Sequence, residues 1–324
     1  MKSHFQIKSY QEYLILHRPG ISAEILKYIR LLPKPGREPC AYLLDNQGKC
    51  LRAGLLLLCS GMFGKLPEGA YSLAAALELT HTASLLHDDI QDDSTLRRGK
   101  PCGHLRFGVK EALLAGDAML ASAMHICASS QPQIFLIYSD CVNDMVHGQI
   151  METAGLCSQH LYLETIFKKT GSLIGAACEM GGSLAMQPQP VCALLREFGR
   201  NLGAAYQIAD DWRDFLPAVQ TGKDQGRDIL RGNITLPVHL YLNTLPRKQQ
   251  QALINRIVSG HIDQAELGNI CMQAHASELT QQCRAQLDLF LQVAREKLSL
   301  LPASPEKAIL EEITLHIGNS VGGT

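Results

Sequence analysis

The sequence has no net charge excess, few aromatic side chains and no long apolar run. Its 30 Lys and Arg residues face 31 Asp and Glu residues, which gives a formal net charge of −1, and 6% of the residues are aromatic. A chain without a charge excess has no overall electrostatic attraction to nucleic acid or to an anionic membrane. We therefore expect neither as a partner, so any charge-based function must depend on local clusters.

Sorting and membrane signals are also missing from the sequence. The first residues lack the apolar stretch of a signal peptide. The most apolar run, residues 54–63, is far shorter than the roughly 20 residues of a membrane span. Eleven cysteines are scattered without a C-x-x-C pair, as is typical of reduced thiols. These observations predict a cytoplasmic protein without a membrane span.

Strand signals are absent, whereas helical periodicity runs through most of the chain. The pattern predicts helices over residues 70–90, 109–128, 134–153, 161–185, 192–215, 236–242, 249–259 and 278–300. Three prolines and a glycine predict a stiff connection over residues 33–39, and the region after Pro302 is weakly patterned. No linker composition or internal repeat is found. We predict an all-α protein in which residues 1–324 form a single domain.

Carboxylates are concentrated in two places, each at the end of an apolar predicted helix. Asp88 and Asp92 are four residues apart, so they share one helix face, and residues 210–214 repeat this spacing. Like charges one turn apart destabilise a helix unless a cation lies between them. One such cluster is more often a solvated helix end, but two clusters on facing helices are a recurrent way to build a metal site. All-oxygen ligands favour Mg²⁺ bound together with a phosphorylated substrate.

Basic residues follow at positions that suit phosphate. Arg97 and Arg98 come just after the first acidic cluster, and the planar guanidinium fork binds phosphate in a bidentate manner. Lys49 and Arg52 are three residues apart at a predicted helix start and form a second candidate anion site. Further candidates are Lys168, Lys169 and Lys223. Each residue alone is typical of a solvated surface, so its significance depends on the acidic pairs that need a polyanion between them.

Together these motifs resemble those of the trans-isoprenyl diphosphate synthases, also called polyprenyl synthetases. The first motif reads D-D-x-x-D at residues 88–92, followed by R-R-G at 97–99, and the second reads Q-I-A-D-D-x-x-D at 207–214. The resemblance extends over most of the chain, from about residue 48 to 237. It implies the isoprenoid synthase fold, which is a bundle of long, mostly antiparallel helices around a central cavity. It also implies a homodimer.

The resemblance implies a role for each matching residue. The diphosphate of isopentenyl diphosphate is assigned to Lys49, Arg52, His81 and Arg98. Mg²⁺ on the allylic diphosphate is assigned to Asp88, Asp92 and Asp210, with Asp89 and Asp214 as neighbouring or water-mediated ligands. The allylic substrate is assigned to Arg97, Lys169, Thr170, Gln207 and Lys223. Catalysis is assigned to Asp88, Asp92, Arg97, Lys169 and Asp210. For His81 and Gln207 the alternative is a polar group satisfied inside the helical core.

The implied reaction is the Mg²⁺-dependent, head-to-tail (1′-4) condensation of isopentenyl diphosphate with dimethylallyl, geranyl or farnesyl diphosphate. Product length depends on the room beside the first-motif helix. In the family, a large aromatic residue four or five positions before the motif stops elongation early, whereas Ser84 and Ala83 are small. We predict an all-trans product of twenty carbons or more, as made by geranylgeranyl and longer-chain synthases.

Three positions depart from the family's pattern. The family usually has Arg where Cys50 stands, Lys where Asn233 stands, and Asp where Glu152 stands in its Gly-Gln-x-x-Asp motif. The tail at residues 315–320 also lacks the basic residues often found at the family's C-terminus. The change at residue 233 removes one expected contact to the allylic diphosphate. Two alternatives stay open, a class I terpene cyclase and a non-catalytic partner subunit of another prenyl synthase. Cyclases typically replace the second aspartate motif and partner subunits usually lose one, so two intact motifs argue against both.

Overall fold

A computed structural model describes residues 9–44, 48–155, 158–216, 225–274 and 277–321, and these residues are overwhelmingly α-helical. The first helices are α1 (Tyr10–Leu31), α2 (Lys34–Leu44), α3 (Leu51–Gly61), α4 (Ala70–Gln91), α5 (Gly103–Phe107) and α6 (Val109–Ala128). Then come α7 (Pro132–Thr153), α8 (Gln159–Ile166), a π-helical turn (Phe167–Gly171), α9 (Ser172–Leu184) and α10 (Gln189–Asp214). The last are α11 (Arg227–Leu230), α12 (Leu236–Leu242), α13 (Arg247–Val258), α14 (Gln264–Ala274), α15 (Ser277–Ser299) and α16 (Pro305–Gly318). The all-α prediction is confirmed.

One small hairpin interrupts the helices. Strands β1 (Leu96–Arg97) and β2 (Lys100–Pro101) pair antiparallel, and the connecting residues Arg98 and Gly99 both have positive φ, at 53° and 76°. Two successive positive φ values match the type I′ turn that closes tight hairpins. Strands of two residues are too short to produce a periodic pattern, which explains why the sequence did not predict them.

The described residues fall into two compact units. The first contains residues up to 140, together with 176–196 and 301–312. Within it α4 packs against α1, α3 and α6. Small residues such as Ala76 and Ala83 are fully buried on α4, which allows neighbouring helices to approach closely. This packing fixes the helix that carries the first aspartate motif.

The second unit contains residues 141–175, 197–300 and 313 onward. Its core includes Phe215, Ile229, Val238, Leu253 and Ile257, all of them buried. Helix α12 packs against α14 and α15 within this unit. The core therefore lies directly beside the end of α10, where the second aspartate motif is found. A single domain over residues 1–324 stays a prediction.

One sequence prediction about a helix boundary is wrong. Residues 33–39 are not a connection, because α2 begins at Lys34. Pro35 falls in the first turn, where its missing N–H is harmless, and Pro39 removes one hydrogen bond without ending the helix. The weakly patterned region after Pro302 forms α16, where the Ser304 hydroxyl accepts a hydrogen bond from the Lys307 N–H at 3.1 Å.

Helix α6 is the one described helix that is long and apolar enough to cross a membrane. Length and composition are weak grounds for a span, because the core helix of a globular protein passes the same test. Helix α6 packs against α2, α4 and α5, and 39% of its most apolar 18-residue stretch is buried. Its packing indicates a core helix with one exposed apolar side. The ten cysteines within the described ranges are all buried and free, as expected for reduced thiols.

Candidate active site

The C-terminal end of α4 carries the first aspartate motif. Asp88 and Asp92 lie one turn apart, and the Asp92 N–H donates to the Asp88 carbonyl oxygen at 2.8 Å. Both are partly exposed, whereas Asp89 is 1% exposed. The helix end therefore presents two accessible carboxylates and directs the third into the protein.

Arg97 binds the buried carboxylate of Asp89. The Arg97 Nε donates to Oδ1 at 3.0 Å and to Oδ2 at 3.2 Å, and Nη2 also pairs with Oδ1. Burial lowers the pKa of Arg97, but the hydrogen bond and charge of Asp89 outweigh it, so this pKa lies above its usual value. The adjacent Arg98 guanidinium lies instead against Gly48. Because of the tight turn after Arg97, the two neighbouring arginines have different partners, Asp89 for Arg97 and Gly48 for Arg98.

A basic group surrounds the start of α3. The buried carboxylate of Glu78 accepts a hydrogen bond from the Ala53 N–H at 3.1 Å, and the charges of Arg52 and Arg98 act on it. His81 lies on the next turn of α4. Burial and the charges of Arg52, Arg98 and Arg97 hold the pKa of His81 well below its usual range. His81 is therefore neutral at physiological pH and can donate a hydrogen bond without adding charge.

In the second unit, Asp211 is the centre of a hydrogen-bond network near the end of α10. The Tyr162 hydroxyl donates to its Oδ2 at 2.5 Å, and the Gln207 amide donates to its Oδ1 at 2.7 Å. The Thr170 hydroxyl in turn donates to the Gln207 carbonyl oxygen at 2.8 Å. Burial raises the pKa of Asp211 to about 7, although both hydrogen bonds lower it. The network fixes Gln207 and Thr170, as expected for polar groups satisfied in a core.

The two remaining aspartates of the second motif differ in environment. The Asp210 side chain is 49% exposed, and Arg213 Nη1 lies 3.8 Å from its Oδ1. Asp214 is more enclosed, and its Oδ2 accepts a hydrogen bond from the Asp228 N–H at 3.0 Å. Burial raises the pKa of Asp214, while this N–H and the nearby Arg227 lower it. Asp210 is thus the more accessible ligand, and Asp214 is tied to the start of α11.

The π-helical turn between α8 and α9 carries Lys168 and Lys169. The Lys169 ammonium pairs with the Glu152 carboxylate on α7, and the Lys168 ammonium lies 3.3 Å from the Asp144 carboxylate. A Cβ atom at Gly148 would lie 2.6 Å from the Lys169 backbone nitrogen, so only glycine allows this close approach. Single π-helical turns are common at functional sites because they redirect side chains. Here the turn brings Lys169 to α7.

The donor groups of each unit fit a divalent cation that is shared with a phosphate. Across the described ranges, no three His, Cys, Asp or Glu side chains come together as a complete metal site. Each motif instead offers two carboxylates one turn apart, as at Asp88 and Asp92. Magnesium typically takes one or two carboxylates and completes its shell with water and substrate phosphate oxygens. The observed spacing matches that chemistry.

Comparison with known proteins decides the family. The polyprenyl synthetase profile matches residues 34–274 of this chain. The chain belongs to the polyprenyl synthetase family. Heptaprenyl diphosphate synthase component 2 of Geobacillus stearothermophilus is 31% identical over 320 residues, which cover 97% of this chain and 98% of that protein.

Solved structures of related enzymes share the fold. A decaprenyl diphosphate synthase from Rhodobacter capsulatus matches with a TM-score of 0.88 at 25% identity, covering 96% of this chain and 99% of that one. A polyprenyl synthase from Caulobacter crescentus CB15, complexed with calcium and isoprenyl diphosphate, matches with a TM-score of 0.87 at 27% identity, covering 96% and 98%. The fold is therefore that of the isoprenoid synthases, and this polyprenyl synthetase is a trans-prenyltransferase.

The predicted site residues are distributed over both units of the polyprenyl synthetase. The first unit holds Lys49, Arg52, His81, Asp88, Asp89, Asp92, Arg97 and Arg98. The second holds Lys169, Thr170, Gln207, Asp210 and Asp214. Lys223 lies outside the described residues. Within the first unit, Arg52 and Arg98 lie close enough to His81 for their charges to lower its pKa. The individual roles of these residues stay predictions.

Three further residues of the polyprenyl synthetase have no counterpart among the sequence predictions. Glu78 is a carboxylate inside an apolar stretch, three residues before His81, and that position could have identified it. Arg18 donates from Nη2 to the Gly48 carbonyl oxygen at 2.8 Å. Tyr162 lies 49 residues from its partner Asp211. Neither Arg18 nor Tyr162 carries a local sequence signal, because each acts through a contact that only the tertiary fold creates.

Proposed function

We propose that this polyprenyl synthetase uses Mg²⁺ to condense isopentenyl diphosphate with an allylic diphosphate, and that it makes an all-trans product of twenty carbons or more. The main observation is the pair of partly exposed carboxylates one turn apart at the end of α4, Asp88 and Asp92, together with the exposed carboxylate of Asp210 near the end of α10. The relatives named as heptaprenyl and decaprenyl synthases support the long product. We propose Mg²⁺ ligation by Asp88, Asp92 and Asp210, with Asp89 and Asp214 as neighbouring or water-mediated ligands.

Bound Mg²⁺ supplies the positive charge that neutralises the allylic diphosphate as its C–O bond breaks. Asp88, Asp92 and Asp210 are the accessible groups that hold this charge in place. Arg97 and Lys169 are each a fixed cation for contact with the allylic substrate, and each is oriented by a carboxylate partner, Asp89 for Arg97 and Glu152 for Lys169.

A second group of residues binds the nucleophile. Lys49, Arg52 and Arg98 bind the diphosphate of isopentenyl diphosphate, and neutral His81 donates a hydrogen bond to it. The double bond then attacks the allylic cation, and the departed diphosphate accepts the proton that leaves. Side chains around the reacting carbons must exclude water, because water would quench the cation. No nucleophilic serine or cysteine is needed, which agrees with buried, free cysteines.

The proposal is tested by incubating the purified protein with Mg²⁺, isopentenyl diphosphate and each of three primers: dimethylallyl, geranyl or farnesyl diphosphate. Products are dephosphorylated and separated by chromatography. We expect linear prenyl alcohols of twenty carbons or more, loss of product with a chelator, and its return with added Mg²⁺. Cyclic hydrocarbons would indicate a terpene cyclase instead. No product from any primer would favour a partner subunit, which the word "component" in the name of the Geobacillus relative also suggests.

We also propose a cytoplasmic homodimer that forms through the exposed apolar side of α6. Val109, Leu113, Leu114 and Met124 are 41–67% exposed on this helix. Apolar side chains along one helix side are typical of a protein interface. Leu114→Glu is expected to shift the protein from dimer to monomer in sedimentation equilibrium, because it places a charge in the interface. Leu289→Glu on α15, at a similarly exposed leucine (58%), is the matched control. A monomeric wild-type protein, or a dimeric Leu114→Glu variant, would contradict the interface.

A further inference from the structure

The start of α3 gathers more positive charge than the family motif alone provides. Glu78 is 3% exposed, and the charges of Arg52, Arg98 and Arg18 all act on its carboxylate. Burial raises the pKa of Glu78, and these three arginines lower it. A buried carboxylate of this kind holds neighbouring guanidinium groups in place. Arg18 is the unexpected member, because it comes from α1 and belongs to no recognised motif.

Arg18 is attached to the loop that carries Lys49. Its Nη2 donates to the Gly48 carbonyl oxygen at 2.8 Å. The guanidinium of Arg98 lies against the Cα of the same residue, since a Cβ atom at Gly48 would be 2.8 Å from Arg98 Nη2. Gly48 has φ of 60°, a conformation that glycine adopts readily. Two guanidinium groups therefore meet at one glycine, directly before Lys49.

The loop is also fixed from α1 at a second point. The Tyr10 hydroxyl lies 2.9 Å from the Cys50 carbonyl oxygen and 3.2 Å from that of Lys49. Burial raises the pKa of the Cys50 thiol to about 11, while the charges of Arg18 and Arg98 lower it. The Cys50 side chain is therefore uncharged at physiological pH. The Arg18 guanidinium supplies a positive charge near this side chain.

The charges of this group favour an added polyanion. Three cations, Arg18, Arg52 and Arg98, act on the carboxylate of Glu78, and Lys49 directly follows Gly48 in the sequence. Like charges held close together are stabilised by an anion between them. The bond to Gly48 uses one of the five N–H donors of the Arg18 guanidinium, and a guanidinium can bind phosphate with two parallel hydrogen bonds. Arg18 is exposed on its helix, so its guanidinium is within reach of a ligand in solvent.

We propose that Arg18 is a further binding residue for the diphosphate of isopentenyl diphosphate, held in position by Gly48 and by the charge of Glu78. This inference rests on the proposed function, because it assigns the basic group to that substrate. The contrasting possibility is that Arg18 only braces α1 against the loop. The two roles differ in their need for charge: a brace requires a hydrogen-bond donor, whereas diphosphate binding also requires a cation.

The test compares Arg18→Gln, which keeps an N–H donor but removes the charge, with Arg18→Lys, which keeps the charge. Arg30→Gln, at an exposed arginine in the last turn of α1, is the matched control. We expect Arg18→Gln to raise the KM for isopentenyl diphosphate about tenfold, because hydrogen bonds to charged groups are individually strong. The KM for the allylic primer and the melting temperature should stay near the wild-type values, and Arg18→Lys should recover part of the loss.

Two results would overturn the inference. One is an unchanged KM for isopentenyl diphosphate in Arg18→Gln. The other is a lower melting temperature with equal changes in both KM values, which would identify a brace. If the wild-type protein makes no product, the proposed function has failed, and calorimetry with inorganic pyrophosphate then tests Arg18 separately. Weaker pyrophosphate binding by Arg18→Gln than by Arg30→Gln would still support an anion site, and equal binding would exclude it.

Discussion

Asp88→Ala is expected to reduce kcat by about a thousandfold or more, with a smaller effect on the melting temperature. The carboxylate is partly exposed at the end of α4 and shares a helix face with Asp92, so its removal takes away one ligand of the cation that neutralises the leaving group. Loss of a single group that stabilises transition-state charge typically reduces turnover by about 10² to 10³. Metal binding concentrates several such contacts in one ion, which places the expected loss at the upper end. Steady-state assays over a range of Mg²⁺ concentrations measure it.

Asp210→Ala should have a loss of the same size, because Asp210 is the accessible carboxylate of the second motif. Asp140→Ala, at an exposed aspartate on α7, is the matched control and should retain wild-type turnover. Removing one of two like charges a turn apart also relieves repulsion in the metal-free helix. We therefore expect neither motif variant to be less stable than Asp140→Ala without metal. Near-normal turnover in either variant would contradict the metal assignment.

Ala83→Phe is expected to shorten the main product by at least one isoprenoid unit while leaving the enzyme active. Ala83 is fully buried on α4, five residues before Asp88, which corresponds to about 7.5 Å along the helix axis. A phenyl ring there fills the space beside the helix into which the growing chain is proposed to extend. Chromatography of the dephosphorylated products, for wild type and variant with the same primer, measures the change.

The neighbourhood of Ala83 suggests how far the chain can extend in the wild-type protein. One turn deeper, the Thr80 hydroxyl donates to the Ala76 carbonyl oxygen at 2.9 Å. Its single proton is then in use, so the Tyr138 hydroxyl, also at 2.9 Å, is the donor to Thr80. Both side chains are almost fully buried. The hydrogen-bonded Tyr138 is therefore a bulky group beside α4, one turn farther from the aspartate motif than Ala83.

Over-packing at Ala83 can cost about 1 to 3 kcal/mol of stability, so a second variant is needed. Ser84→Phe serves this purpose, because Ser84 is only partly buried and its hydroxyl bonds merely to the His81 carbonyl oxygen of its own helix. Ala252→Phe, at an exposed alanine on α13, controls for the added aromatic ring. Unchanged product length in active Ala83→Phe and Ser84→Phe enzymes would show that the chain does not run along this side of α4.

Helices with strong periodicity could be predicted from the sequence almost to the residue. The ranges 109–128 and 236–242 coincide with α6 and α12. The prediction over 161–185 was only partly right, because the π-helical turn interrupts the helix without changing its apolar pattern. The prolines at residues 33–39 led to the wrong prediction of a connection there, because α2 continues through Pro39. Periodicity thus reveals helices but not the irregular turns within them.

The residue types of the site could be predicted, but most of their partners could not. The four-residue spacing of Asp88 and Asp92 is a property of the sequence alone. The bond between Asp211 and Tyr162 joins residues 49 positions apart, and that between Arg18 and Gly48 joins residues 30 apart. Such pairs depend on which helices become neighbours. Local spacing therefore identifies the chemistry, and the fold determines which groups are held, buried or neutral.

The π-helical turn at Phe167–Gly171 makes the second unit sensitive to the deletion of a single residue from the polypeptide. A π-helical turn corresponds to one extra residue in a helix that otherwise advances about 100° per residue. Deleting one residue from the turn would restore a regular helix from α8 into α9, and the resulting rotation of about 100° would turn Lys168 and Lys169 away from Asp144 and Glu152. An engineer could therefore disconnect both lysines from their carboxylates with a single-codon deletion, without changing any charged side chain.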